Sequence, residues 1–291
     1  MLNLGTFGIL GGDRRQISLI EGLAQDGLNV YVTGFENANF SDSVTKASIE
    51  ETIENSKYIV FPLPATKDSS TLYAPFSKNK IFLDDKIANN LSNKKIFCGI
   101  SRSLTKTSKN FKKLQIFDYA KREEFAIRNA IPTAEGALEI AMREYLGTIN
   151  GSRCLIAGFG RVGKALSMVL WGMRANVVVS ARKPEDIAHI KSQNYTAILT
   201  SEIKKTTGYD IIFNTIPHVI FDAHTLAKCA QNSIIIDLAS YPGGVDFEAA
   251  SRLKIKSIHA LSLPGKIAPK TAGAIIKSTI YDIINEEAIN E

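Results

Sequence analysis

Metal and thiol chemistry have little to work with in this sequence. Its three cysteines (Cys98, Cys154, Cys229) and four histidines (His189, His218, His224, His259) are scattered, with none of the close spacings that hold a zinc ion or frame a disulfide set. No metal site is expected, and the cysteines read as reduced core residues of a cytoplasmic protein. No apolar run approaches the length that crosses a bilayer, and the opening MLNLGTFGILGG lacks the basic stretch of a secretory leader, so no membrane association is expected. Low-complexity tracts are missing, and so is any repeat beyond two similar halves. The net charge of +6 comes from dispersed lysines (Lys78, Lys80, Lys94, Lys95, Lys112, Lys113, Lys204, Lys205) without interleaved aromatics. Nucleic acid is therefore not an expected partner.

What is present is an open α/β pattern. At 291 residues, 45% hydrophobic and 22% charged, the chain has the size and balance of two globular domains. Residues 153–183 are the most informative stretch. Cys154-Leu155-Ile156-Ala157 is a buried-strand run that empties into Gly158-Phe159-Gly160-Arg161-Val162-Gly163. Apolar positions at helical spacing follow (Val162, Leu166, Val169, Leu170, Met173), and then a β-branched strand over residues 176–180. Strand, glycine turn, helix and strand is the context in which a GxGxxG binds a dinucleotide. Gly158 allows the turn, Gly160 lets the backbone approach a pyrophosphate, and Gly163 lets the helix pack on the sheet. The first helical N–H groups then face the phosphates. The acid that would hold a ribose 2′-hydroxyl is missing, and the chain reads Ser180-Ala181-Arg182-Lys183 instead. A hydroxyl and two cations suit a 2′-phosphate, so NADP(H) is the expected cofactor. The competing reading is a solvated surface pair at Arg182 and Lys183.

The N-terminal half repeats the pattern. Residues 6–10 read as a strand, and Gly11-Gly12-Asp13-Arg14-Arg15-Gln16 as a turn and helix start capped by Asp13. Residues 29–33, 58–61 and 95–98 read as further strands, the last ending at Gly99-Ile100-Ser101-Arg102. Residues 81–83 are expected as a short strand and residues 67–77 as a mobile polar loop. Ligands bind at the carboxyl ends of such strands. Asp13, Arg15, Gln16, Ser101 and Arg102 are therefore candidate substrate contacts, with plain turn and cap residues the competing reading. Residues 117–128 read as a helix interrupted at Asn129-Ala130-Ile131-Pro132, with a second helix from Thr133 to about Tyr145.

These hinge helices are expected to join two doubly wound, Rossmann-like parallel-sheet domains. The first is residues 1–130, a substrate or partner domain, with helix 273–291 crossing back onto it. The second, the cofactor-binding domain, is residues 131–272. A cleft beside residues 132–136 would add Thr133 and Glu135 to the candidate substrate contacts.

In the second half, residues 210–215 and 233–238 read as strong strands. The loops after them, Asn214-Thr215-Ile216-Pro217 and Asp237-Leu238-Ala239-Ser240, lie where the nicotinamide half of a cofactor rests in such a sheet. Asn214 and the Thr215 hydroxyl are the candidate groups to fix it; ordinary loops are the competing reading. His218, next along, is the histidine placed to act as an acid or base. Residues 261–268 read as a loop and residues 269–286 as a closing helix. Lys270 and Thr271 at that helix start make a carboxylate site, and Lys270 is the second catalytic candidate, against the common case of a solvated lysine.

Several blocks of sequence, taken together, resemble the family of dipicolinate synthase A-type subunits over nearly the whole chain. They are Gly11-Gly12-Asp13-Arg14-Arg15-Gln16, Gly99-Ile100-Ser101, Ile131-Pro132-Thr133-Ala134-Glu135-Gly136, Asn214-Thr215-Ile216-Pro217, the stretch DLASYPGGVDF at 237–247 and the stretch LPGKIAPKTAG at 263–273. The last two are more specific than the glycine fingerprint. The resemblance implies NADP-dependent oxidation of a dihydrodipicolinate-type precursor to pyridine-2,6-dicarboxylate (dipicolinic acid), in the mother cell of a sporulating bacterium. It also implies a smaller, flavoprotein-like B-type dipicolinate synthase subunit as partner, with a homodimer within a larger assembly. It supplies no catalytic role for His218. A small dicarboxylate substrate would call on Arg15 or Arg102 from the first domain and on Lys270 with Thr271 from the second. Two other functions stay open at this point: a two-domain NADP-dependent oxidoreductase acting on a shikimate-like acid, and a cofactor-binding scaffold that regulates a catalytic partner.

Overall fold

The computed structural model describes residues 5–205 and 207–290. Met1 to Leu4, which open the stretch read for a leader, and Glu291, the end of the expected closing helix, lie outside the described residues. The chain forms two units, each built on a six-stranded, all-parallel sheet. The first holds β1 (Phe7–Leu10), α1 (Arg14–Gln25), β2 (Val30–Thr33), β3 (Val44–Lys46), α2 (Ile49–Glu54), β4 (Tyr58–Val60), α3 (Asp85–Asn90), β5 (Lys95–Cys98), α4 (Ser101–Thr105) and β6 (Ile116–Asp118). α5 (Glu123–Glu144) contains the first unit boundary, between Asn129 and Ala130. The second unit continues with β7 (Arg153–Ala157), α6 (Arg161–Gly172), β8 (Asn176–Ala181), α7 (Pro184–Ser192), β9 (Thr196–Leu199) and β10 (Ile211–Asn214). It ends with α8 (Ala223–Leu226), β11 (Ile234–Asp237), α9 (Phe247–Arg252), β12 (Lys256–His259) and α10 (Leu263–Ile267). α11 (Pro269–Asn290) belongs to the first unit.

Strand order is β3-β2-β1-β4-β5-β6 in one sheet and β12-β11-β10-β7-β8-β9 in the other, the doubly wound arrangement in both. Such sheets are covered on both faces, which is why β1, β10 and β11 are buried along their whole length and apolar but for Asn214 and Asp237 at the ends of the last two. In the first unit one face packs Leu19, Ile20 and Leu23 of α1 with Ile276, Ile280 and Ile284 of α11. The other face packs Ile53, Ile87 and Leu91 beside α2 and α3. α11 seats on α1 because residue 273 is glycine: a Cβ there would lie 2.5 Å from the Arg15 carbonyl oxygen and 2.6 Å from Ser18 Cβ. Lys277 Nζ and Tyr281 Oη both donate to Asp26 Oδ2 at 2.7 Å, fixing the far end of the pair. Lys270 and Thr271, expected in the second domain, therefore lie in the first unit, because the isoleucine face of their helix completes its core.

Several local expectations are corrected. Of the helix expected over residues 117–128, residues 123–128 are helical and open α5, but its start is strand β6, where Phe117 stacks on Phe97 of β5 (centroids 5.5 Å apart), followed by a short 3-10 turn, Tyr119–Lys121. The expected helix pair around Pro132 is the single helix α5, which runs through the proline. An interior proline costs a helix about 3 kcal/mol and the bond to the carbonyl four residues back, here Arg128. Burial of Ala130, Ala134, Ala137, Ile140 and Ala141 on one side offsets that loss. The loop expected at 261–268 contains α10, whose Leu263 approaches α5 where Gly136 has no side chain. Residues 81–83 form no strand; Phe82 makes one antiparallel bridge to Thr71. Residues 67–77 form a loop as expected, and its first part turns about Asp68, which accepts from the Ser70 and Thr71 amides and from the Thr66 and Thr71 hydroxyls. Among the described residues, no helix is long and apolar enough to cross a membrane.

Candidate functional site

The glycine loop after β7 has the shape of a phosphate cradle. Gly158 sits at φ +99°, a conformation L side chains rarely adopt, and a Cβ on Gly163 would collide with the Gly158 carbonyl. A Cβ on Gly160, the N-cap of α6, would meet nothing within 4 Å. One wall is thus forced tight while the other lies open at a helix N-terminus, which fits the pyrophosphate of a dinucleotide. Phe159 turns inward to the core, with Lys164 Nζ 5.3 Å over its ring; Val162 is half-buried and Arg161 is exposed at the helix start.

Next along, the end of β8 corrects one expectation. Ser180 is wholly buried, and its Oγ accepts from the Gly158 amide (3.2 Å) and from Thr200 Oγ1 (3.4 Å). Its hydroxyl braces the glycine turn from behind instead of facing a ribose. Arg182 is exposed and opens onto a 640 Å³ pocket with Thr200, Ser201, Lys204 and His218. Lys183 instead lies 3.6 Å from Glu185 of α7, both side chains exposed, as a surface pair would. His218, the expected acid or base, shares the Arg182 pocket at the ends of β8 and β9.

The loops after β10 and β11 are tied together by a buried carboxylate. Asp237 Oδ1 accepts from Asn214 Nδ2 (2.8 Å) and the Ala239 amide (3.1 Å), and Oδ2 accepts from the Gly244 amide (2.8 Å). Asn214 spends the rest of its amide on Ile216, donating to its carbonyl at 3.0 Å and accepting from its N–H at 3.1 Å. Thr215 Oγ1 donates to the Ala157 carbonyl (2.8 Å), and Leu238 N–H to the Asn214 carbonyl (2.8 Å). Asn214 and Thr215 therefore shape the edge, and their side chains are not the free hydrogen-bonding groups expected. Pro217 and Ser240 are exposed along it, and the Ala239 carbonyl lies 3.0 Å from His259 Nε2.

In the first unit Asp13, Arg15 and Gln16 come together at the point where strand order reverses, between β1 and β4. Arg15 donates through Nε and Nη2 to both oxygens of Asp13 (2.9 and 2.8 Å), and through Nη2 to the Leu63 carbonyl in the loop after β4 (2.6 Å). Burial alone would lower its pKa; the hydrogen bonds and charge of Asp13 outweigh that and raise it above the ordinary value. Arg15 thus bridges the two loops of the switch point, its Nη1 taking no part in these bonds. Gln16 is fully buried beside Gly12. Tyr119, donating to the Phe61 carbonyl at 3.1 Å, is pushed well up by burial.

The remaining candidates are dispersed. Asp118 accepts from the Ile100 and Ser101 amides, occupying the start of α4, while Arg102 is exposed. Lys270 and Thr271 are exposed in the first turn of α11; Thr133 and Glu135 lie on α5, the first half-buried and the second exposed. Sequence reasoning placed Asp237 in its loop without a role for its side chain, and passed over Asp118 and the trio Thr200, Ser201 and Lys204. Asp237 and Asp118 carried a usable signal, a carboxylate at the end of a sheet strand, which needs compensating donors.

Comparison with known proteins agrees with this anatomy. The family model for the N-terminal domain of the dipicolinate synthase A-type subunit matches residues 6–120. That described as D-isomer specific 2-hydroxyacid dehydrogenase, NAD binding domain, matches residues 126–245. The A-type dipicolinate synthase subunit of Bacillus subtilis (strain 168) is 32% identical over 283 residues, covering 96% of this chain and 95% of that protein. The crystal structure of dipicolinate synthase, A chain, from Bacillus subtilis superposes with a TM-score of 0.89 at 30% identity, covering 100% of this chain and 99% of the other. That of the A-type subunit from Bacillus halodurans gives 0.88 at 30%, covering 97% and 98%. The second unit is accordingly a nicotinamide-dinucleotide domain of dehydrogenase type, which makes the protein an oxidoreductase. Likeness on this scale, from end to end, makes the chain a member of the family of dipicolinate synthase A-type subunits.

Proposed function

We propose that this chain is the NADP(H)-dependent oxidoreductase component that converts a dihydrodipicolinate-type precursor to pyridine-2,6-dicarboxylate, in the cytoplasm of a sporulating mother cell. The observation that carries the reading is a dehydrogenase glycine cradle in a chain of this family. When bound, the nicotinamide supplies hydride acceptance, and forming an aromatic ring favours the oxidation. The protein's part is then chiefly positioning. Gly158, Gly160 and Gly163 shape the pyrophosphate cradle, and Ser180 holds it from behind. The Asn214–Asp237 network sets the loops of Ile216, Pro217, Leu238, Ala239 and Ser240 against the nicotinamide half. Arg182, Ser201 and Lys204 supply two cations and a hydroxyl to a 2′-phosphate, Lys204 Nζ lying also 3.7 Å from Asp222 Oδ2. Asp13, Arg15 and Gln16 form the substrate edge of the first unit. A second, B-type subunit, as the relatives' naming implies, completes the enzyme.

Calorimetric titration tests the cofactor assignment. NADPH should bind more tightly than NADH, and Arg182→Ala should weaken NADPH by about tenfold, the worth of one charge-assisted hydrogen bond at an exposed site, while leaving NADH unchanged. Equal affinities, or an Arg182→Ala protein with wild-type NADPH binding, would refute NADP. Turnover of dihydrodipicolinate with NADP⁺ by the chain, alone and with its B-type partner, tests the reaction.

A further inference from the structure

His218 lies on the wrong flank of the glycine cradle for hydride chemistry. The sheet order places β8 and β9 on one side of β7, and β10 and β11 on the other. A dinucleotide seated on the loop after β7 therefore has its adenosine on the β8 flank and its nicotinamide toward β10 and β11. The chain leaving β10 serves both flanks. Asn214 is tied to Asp237 on the nicotinamide side (2.8 Å), whereas His218 and Val219 line the pocket that holds Arg182, just past β8, and Lys204, past β9. Val219 (51% exposed) and Leu199 (44%) give that pocket apolar walls, as an adenine base requires.

The charge in this pocket is the second observation. A 2′-phosphate carries about two negative charges near neutral pH. Arg182 offers one positive charge, but Lys204 Nζ lies 3.7 Å from Asp222 Oδ2, which offsets its own. Glu202, on the same turn as Lys204, accepts from the Leu199 amide (3.0 Å), and His224 on α8 acts on Asp222 through charge. Arginine and lysine are charged in advance and cannot respond to an arriving dianion; a histidine ring responds by taking up a proton.

We infer that His218 is a specificity-determining residue for the 2′-phosphate of the cofactor, and that its ring takes up a proton when this phosphate binds. The proton comes from solvent and stays on the ring, and no covalent bond to the cofactor forms. The charged ring completes a set of cations that an unphosphorylated ribose cannot recruit, so NADPH is favoured over NADH. His218 is thereby removed from the hydride-transfer step. This inference rests on the NADP(H) reading proposed above.

The full-length chain is titrated with NADPH and NADH by calorimetry in two buffers of different ionisation enthalpy, which reads proton uptake directly. The pH is held at about 7.5, above the second ionisation of a phosphate monoester at about 6; a phosphate meeting cations there can only release protons, so net uptake reports a side chain. Wild type should take up protons with NADPH and none with NADH. His218→Gln should abolish the uptake and weaken NADPH by about fivefold, the worth of one exposed ion pair, with NADH unchanged. His218→Lys, a permanent cation, should restore NADPH affinity without restoring the uptake, a result that no merely structural role produces. Uptake that survives in His218→Gln, wild-type NADPH affinity in that variant, or a loss shared equally by NADPH and NADH overturns the assignment while leaving the NADP reading in place. If wild type binds NADPH no more tightly than NADH, the NADP reading itself falls, and the assignment with it.

Discussion

Replacing Asp237 by asparagine sets two physical effects against each other. Burying a carboxylate costs several kcal/mol in desolvation, so a neutral isostere gains stability if that cost is poorly offset. Here Oδ1 has two donors, Asn214 Nδ2 and the Ala239 amide, and Oδ2 has the Gly244 amide. An asparagine can keep its oxygen on the Asn214 side, but its NH₂ then faces the Gly244 N–H. One hydrogen bond to a charged group, about 1.5–3 kcal/mol, is lost, and a buried N–H is orphaned at about 1–3 kcal/mol. Relief of desolvation offsets part of this, leaving a net loss of about 3 kcal/mol and a fall in melting temperature of about 10 °C for a unit of this size. The loops after β10 and β11 should loosen together, so cofactor affinity should fall in the same variant. Calorimetric melting and NADPH titration of Asp237→Asn measure both. A variant as stable as wild type, binding cofactor equally well, would show that desolvation wins and that the Asn214–Asp237 network does not set the edge.

Gly273→Ala should destabilise the protein by about 1–3 kcal/mol and expose its C-terminal helix to protease, because the new Cβ lands 2.5 Å from the Arg15 carbonyl oxygen; an ordinary glycine-to-alanine gain of about 1 kcal/mol in the helix would refute the close packing of α11 on α1. Asp26 is pulled below its ordinary 3.8: burial raises its pKa, but the hydrogen bonds from Lys277 and Tyr281 outweigh burial. Its contribution is therefore complete above the unfolded pKa of about 3.9 and disappears as pH falls through the folded value. Asp26→Asn should accordingly narrow its stability deficit in acid, and a deficit independent of pH between 7 and 3 (approximate limits set by that titration) would contradict this. Burial pushes the Cys154 thiol up to about 11 and the Cys98 thiol further still, so iodoacetamide at neutral pH should modify neither in the folded chain; inactivation that maps to either cysteine would reveal a thiolate role.

The second unit's βαβ start was legible in the sequence because two local periodicities, strand then helix, bracket a glycine run whose spacing has a steric cause. The collision awaiting a Cβ at Gly163 is that cause made visible. α5 was harder to read: Pro132 is a local stop signal, and only the buried alanines around it, a tertiary fact, override it. β3 went unread because Val44-Thr45-Lys46 is a short, largely exposed edge strand with no apolar face to betray it. At the candidate site, residue identity was legible and side-chain direction was not. Ser180 and Asn214 were singled out as ligand contacts, yet both turn inward to neighbours that lie far away in sequence, at Gly158 and Asp237.

The packing of α11 beside α1 fixes the order in which this protein can be made. The first unit lacks five isoleucines of its core until residues 275–284 leave the ribosome, while the second unit, Ala130–Ile267, is contiguous in the chain. At about 5–20 residues per second the second unit takes on the order of ten seconds to emerge. Throughout that interval the nascent N-terminal sheet carries an uncovered apolar face, a target for chaperones and for its own neighbours on a polysome. The cofactor domain is thus free to form first, and the face of the first unit beneath α1 is completed only once α11 has emerged. A truncated message or a stalled ribosome would then release a chain competent to hold a dinucleotide but unable to finish the unit proposed to meet the substrate.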